Sequence, residues 1–93
     1  MCYHVYILMS EVDGSLYTGQ TNNIKKRLVL HNTGKVTSTR SKAPYKLAYY
    51  ETFDTRSEAM WREWELKKRW NTERKKKLLQ NFPESKILEI LGL

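Results

Sequence analysis

The stretch that most constrains the fold is VYILMSEVDGSLYTG, residues 5–19. Residues 3–9 are mostly β-branched and aromatic and predict a strand. Asp13-Gly14 predicts a hairpin turn, because such turns need a residue that tolerates positive φ. Residues 15–20 then return antiparallel to the first strand. With a two-residue loop at Asp13-Gly14, Ser10 faces Tyr17 and Leu8 faces Gly19. Side chains alternate with period two, so Tyr6, Leu8, Tyr17 and Gly19 share one sheet face. A loop one residue longer or shorter would reverse that parity. The hairpin therefore poses a question: two tyrosines on one face either pack together or point at something.

The rest of the chain predicts a small α+β domain. In TNNIKKRLVLHNTG, Asn22 or Asn23 caps a helix and Gly34 ends it. Ile24, Leu28 and His31 fall on one stripe of that helix, with Arg27 at its edge. KVTSTRSKAP reads as a polar, basic loop and YKLAYYETF as a third strand. Asp54 or Thr55 opens a long helix over SEAMWREWELKKRW. ERKKKLLQNF is a short basic helix, and ESKILEILGL after Pro83 a short amphipathic one. The order is strand, strand, helix, strand, then three helices. At 93 residues the chain has length for one modest core. Residues 1–93 are read as a single domain, with 84–93 a C-terminal helical extension.

Charge narrows the partners. Seventeen Lys and Arg against ten Asp and Glu give a net charge of +7, which favours anionic partners, nucleic acid first and a membrane surface as the competing reading. A single cysteine, Cys2, excludes an intrachain disulfide and a cysteine-rich zinc cluster. No segment approaches the ~18 apolar residues of a membrane span, and no signal peptide is legible, so a cytoplasmic protein is expected.

Three groups of residues carry chemistry. On the long helix, Glu63 falls inside the apolar face formed by Ala59, Met60, Leu66 and Trp70, whereas Glu58 and Glu65 lie on the charged face with Arg62 and Arg69. A carboxylate on a core-facing side is costly unless paired or liganded; an i,i+4 ion pair with Lys67 is the plainer reading. Arg27 and His31, four apart, are neighbours on the first helix. Arginine suits phosphate and histidine suits proton transfer, although a surface arginine beside a helix-end histidine explains both as well. Lys67, Lys68, Arg69, Arg74, Lys75, Lys76 and Lys77 hold seven of the seventeen positive charges. With Trp61, Trp64 and Trp70 among them, this run is a phosphate-tracking face or a solvated surface, and the tryptophans are expected mostly in the core.

The order and spacing of these groups are more telling than any one alone. HVYIL, LYTGQTNNIKKRL and EAMWREWELKK, spanning residues 3 to about 77, together resemble the GIY-YIG nuclease domain, in its small stand-alone form. The resemblance implies a three-stranded antiparallel sheet flanked by helices. It also implies an endonuclease that hydrolyses DNA phosphodiester bonds with Mg²⁺ or Mn²⁺, in repair or recombination. Tyr6 matches the tyrosine of the first half-motif, and Tyr17 and Gly19 the tyrosine and glycine of the second. Arg27 matches the helix arginine, His31 a His-or-Tyr position, and Glu63 the metal-binding glutamate. By the same resemblance Tyr17 is the general base, Tyr6 supports it, Arg27 stabilises the pentavalent phosphorus, and His31 relays a proton from Tyr17 or positions it. Gly19, Lys26, Lys67, Lys68 and Arg74 are the expected substrate contacts. His4 stands where the motif has glycine and Thr18 where it has isoleucine. Gln20 replaces a lysine that assists the tyrosine in some relatives, leaving that task to Arg27, His31 or the metal. Tyrosine ordinarily ionises near pH ~10, so such help matters. Two other classes stay open: a nucleic-acid-binding module that needs a partner protein or weak homodimer, and an interaction protein that docks through SKILEILGL.

Overall fold

The computed structural model describes residues 2–93. Three strands, β1 (Tyr3–Ser10), β2 (Leu16–Thr21) and β3 (Tyr45–Phe53), form one antiparallel sheet in the order β2-β1-β3. Four helices accompany them: α1 (Ile24–Asn32), α2 (Arg56–Lys68), α3 (Thr72–Gln80) and α4 (Glu84–Leu91). The expected α+β class and element order are thus observed, with one added 3₁₀ turn at Arg40–Lys42. No helix among the described residues is long and apolar enough to cross a membrane.

The central strand explains the sequence VYIL. Val5 and Ile7 pack with Tyr49, Ala59 and Leu66, on the face covered by α2. Tyr6 and Leu8 pack with Ile24, Tyr45 and Leu47, on the face covered by α1. Both faces of β1 are buried, so its apolar residues run consecutively instead of alternating with polar ones. Helix α4, the expected extension, packs Ile87, Ile90 and Leu91 against this second cluster.

The hairpin differs from expectation in its loop. Leu8 pairs with Tyr17 and Tyr6 with Gly19, so the register is shifted by two residues from the two-residue-loop reading. Four residues, 11–14, form the loop, closed by Ser10 N–H to the Ser15 carbonyl (2.8 Å) and Gly14 N–H to the Ser10 carbonyl (2.9 Å). The buried Ser10 hydroxyl accepts from the Val12 amide at 3.1 Å and donates to the Lys42 carbonyl at 2.7 Å. These bonds favour the wider loop. Because the shift is even, Tyr6, Leu8, Tyr17 and Gly19 still share a face.

Strand β3 changes phase midway. Ile7 pairs with Tyr49 but Leu8 with Leu47, so Ala48 is the extra residue of a bulge. Tyr45 and Leu47 consequently face α1 while Tyr49 faces α2. The same phase change turns Glu51 toward α2, where Arg62 Nε and Nη2 donate to its carboxylate at 2.9 Å each. Arg62 also donates to Glu65, and the Tyr49 hydroxyl donates to Glu51. Burial and the Glu51 carboxylate push the Tyr49 phenol up to about 12. Arg62 was expected on the outer charged face; it instead ties α2 to β3.

Local signals set the helix starts. Asn23 caps α1, its side chain accepting from the Lys26 amide at 3.0 Å. Thr55 and Glu58 form a reciprocal capping box at the start of α2. Replacing Thr55 with Ala removes one partner of that box. We expect a loss of about 1 kcal/mol, read as a lower denaturant midpoint with unchanged m-value.

Candidate active site

Four expected residues converge on the α1 side of the sheet. Tyr6, Tyr17 and Gly19 come from the hairpin, and His31 from the last turn of α1. The Tyr6 and Tyr17 ring centroids are 6.5 Å apart, and Tyr17 lies 5.0 Å from the His31 ring. Tyr6 is 2% exposed and His31 fully buried, whereas Tyr17 is only partly covered. His31 is therefore an interior residue and not the solvent-facing helix-end histidine considered above.

Gly19 makes this packing geometrically feasible. It pairs across the ladder with Tyr6, and a Cβ built on it would lie 2.5 Å from the Tyr6 hydroxyl oxygen and 2.7 Å from Cζ. The ring of Tyr6 thus lies directly on the Gly19 backbone. Only a residue without a side chain admits that approach.

A hydrogen-bond chain orients the interior groups. Tyr6 Oη is 3.0 Å from His31 Nε2, and His31 Nδ1 is 2.8 Å from Thr39 Oγ1. Thr39 Oγ1 donates to the Val36 carbonyl at 3.3 Å. With the threonine proton committed there, the chain assigns Nδ1–H as donor to Thr39 and Nε2 as acceptor from Tyr6. Burial, reinforced by the Arg27 charge, lowers the His31 pKa to about 4, so the imidazole is neutral at pH 7. Burial raises the Tyr6 phenol to about 12; a hydrogen bond from Arg27 partly opposes this, and the proximity of Tyr17 and Glu63 adds to it. Tyr6 accordingly keeps its proton. Thr39 lay unmarked in the polar loop, and nothing in KVTSTRSK distinguishes it from its neighbours.

The opposite layer reaches the site at the β2 edge. Helix α2 packs Ala59 and Leu66 on the far face, yet Lys67 Nζ lies 5.7 Å from the Tyr17 ring centroid, within cation–π range. Lys67 also pairs with Glu63 at 2.8 Å, so the i,i+4 ion pair is formed. Gln20 pairs with Val5 and so belongs to the α2-facing side of β2. The cation beside Tyr17 comes from α2 instead of from that strand position.

The remaining expected contacts lie apart from the tyrosines. Lys26 and Lys68 are exposed on α1 and α2. The Arg74 guanidinium stands 3.7 Å from the Trp70 centroid, with Arg62 5.2 Å from the same ring. Of the tryptophans expected in the core, Trp70 packs against it. Trp61 and Trp64 do not; they are 64% and 41% exposed. Met60, expected on the apolar face, is likewise exposed.

The donor set decides what metal the site fits. Among the described residues no group of three His, Cys, Asp or Glu is placed to hold an ion, which disfavours a closed zinc site. Glu63 is a lone carboxylate, one-fifth exposed, and already holds a cation in Lys67. A single carboxylate completed by water and substrate phosphate suits Mg²⁺ or Mn²⁺.

Two outcomes follow from the buried chain. Gly19→Ala forces the Tyr6 ring off its seat; we expect about 1–3 kcal/mol of destabilisation by overpacking and a changed His31 signal in NMR spectra. His31 has a folded pKa of about 4, against ~6.5 when unfolded. Between these values the unfolded chain binds the extra proton, so its contribution to stability is lost as pH falls from ~6.5 through about 4. Imidazole resonances of His31 should stay in the neutral form across the upper part of that window.

Comparison with known proteins agrees with this geometry. The family model described as the GIY-YIG catalytic domain matches residues 2–77. A UPF0213 protein of Bacillus licheniformis is 51% identical over 74 residues, covering 76% of each chain. One from Oceanobacillus iheyensis is 43% identical over 88 residues, covering 94% of this chain and 90% of its own. The solution NMR structure of a UPF0213 protein from Bacillus halodurans superimposes with a TM-score of 0.54 at 36% identity, covering 86% of this chain and 84% of that one. The chain belongs to the GIY-YIG nuclease family, among the small single-domain UPF0213 proteins.

Proposed function

We propose that this protein is a divalent-metal-dependent endonuclease that hydrolyses phosphodiester bonds in DNA, in repair or recombination in the cytoplasm. The observation that carries the reading is the partly buried Tyr17 ring set between the buried His31 imidazole, 5.0 Å away, and the Lys67 ammonium.

Hydrolysis requires a deprotonated nucleophile, stabilisation of the charge that builds on phosphorus, and neutralisation of the leaving oxygen. Tyr17 takes the proton from the attacking water. Lys67 faces its ring and supplies there the cation that Gln20 cannot. Tyr6, held protonated by burial, is a support and not a base. Its bond to His31 fixes the ring against which Tyr17 packs, so His31 positions Tyr17. Arg27, close enough to Tyr6 and His31 to act on both by charge, presents its fork to the equatorial phosphate oxygens. Glu63 would hold Mg²⁺ or Mn²⁺ once Lys67 yields, and the ion supplies neutralisation of the leaving oxygen. Gly19 seats the Tyr6 ring beside the reacting groups, and Lys26, Lys68 and Arg74 contribute positive charge toward the nucleic acid.

The Glu63–Lys67 pair favours a second reading, in which the chain binds nucleic acid and cuts only with a partner protein or as a weak homodimer. An assay of plasmid and branched DNA with Mg²⁺ or Mn²⁺ separates the two. We expect metal-dependent nicking that drops about 10²-fold or more in Tyr17→Phe and is abolished in Glu63→Ala. Nicking that survives both changes would sink the assignment. Salt-sensitive binding without nicking at any metal concentration would establish the second reading.

A further inference from the structure

We propose that the Trp61–Trp64 pair on α2 is a stacking platform for the unpaired bases of a single-stranded nucleic acid, leading into the site at Glu63. The assignment deepens the nuclease reading and rests on it for the direction of the strand.

The two indoles are three residues apart, hence neighbours on the helix surface. They stack on each other, with centroids 5.1 Å apart and planes 19° from parallel. Neither is covered by another element: Trp61 is 64% and Trp64 41% exposed. Ser57 and the exposed Met60 complete an open hollow with them, of about 370 Å³. Large aromatics at the surface, stacked and beside an apolar hollow, mark a binding surface more often than a scattered apolar residue does.

Charge selects the occupant. The three carboxylates of α2 are all engaged: Glu58 in the capping box, Glu65 with Arg62 and Glu63 with Lys67. Among the described residues Lys68 and Arg69 have no acidic partner, and the Arg69 guanidinium stands 5.6 Å from the Trp64 centroid. The hollow is thus edged by free cations in a chain of net charge +7. A second copy would bring the same charge to a patch of four residues, far below the ~800 Å² per partner of a stable interface. A polyanion with flat apolar faces satisfies both the cations and the indoles.

The geometry also joins the platform to the site. Lys67 lies one helical turn beyond Trp64, paired with Glu63 and facing the Tyr17 ring. A strand with a base stacked on the outer face of this pair would run along α2 toward Lys67. A duplex keeps its bases stacked internally and cannot use the platform.

The test is binding in EDTA, where cleavage plays no part, so failure of the nuclease reading leaves it interpretable. Fluorescence anisotropy compares labelled oligothymidylate, oligouridylate and a duplex of equal length. The wild type should prefer single strands, and the two single-stranded arms report the choice between DNA and RNA. Trp61→Ala/Trp64→Ala should weaken single-strand binding about tenfold or more and change duplex binding less than about twofold, while Trp61→Phe/Trp64→Phe retains most of the affinity. Equal losses for single strand and duplex, or no loss, overturn the proposal. So does sedimentation showing a wild-type dimer that the alanine pair abolishes. Wild-type tryptophan emission gives a readout without mutation: it should be quenched by the single strand and not by the duplex, and unchanged emission overturns the platform.

Discussion

Across the β1–β2 ladder a ring meets a backbone directly: Tyr6 is seated on Gly19. Everything at the site depends on it. The seat brings the Tyr6 hydroxyl to His31, and His31 to Thr39. That line of contacts joins strand, helix and loop without any charged group. It leaves Tyr17, next in β2 on the same face, as the aromatic that remains partly open to solvent. The two tyrosines of the hairpin therefore divide the labour their shared face made ambiguous: one packs, the other points.

The layer on the other side of the sheet is organised by charge. Arg62 bridges Glu51 and Glu65 and lies over Trp70, whose ring also meets Arg74. This partly buried group fixes α2 against β3 with satisfied donors and acceptors, the condition under which buried charge is tolerated. With α2 held there, its outward neighbours Glu63, Trp64 and Lys67 are set along the β2 edge. Structural charges and site charges thus occupy adjacent faces of one helix, so the orientation of Glu63 is inherited from a network that does not touch the site.

Much of this was legible in the sequence. Element order, the caps narrowed to Asn22 or Asn23 and to Asp54 or Thr55, and the shared face of Tyr6, Tyr17 and Gly19 all follow from local rules, because capping and alternation are local physics. The hairpin loop was misjudged by two residues, yet parity survived because an even slip leaves side chains on the same face. The rest depended on tertiary context. Thr39 acquires its importance only from the imidazole above it. Arg62 looked like a surface cation until the phase change at Ala48 brought Glu51 beneath it. Trp61 and Trp64 read as core by composition, and only the finite width of the sheet under α2 shows that there is nothing left to cover them.

The bulge at Ala48 has a consequence for how such a chain can vary. A regular strand commits all its residues to one alternation, so a single insertion would invert every contact downstream. A phase break decouples the two halves: Tyr45 and Leu47 answer to the helices on one side, Tyr49 and Glu51 to α2 on the other. The tyrosine layer and the charge layer then become separately adjustable modules of one strand. Residues of the α2 layer can then change without disturbing the tyrosine interior on the other face.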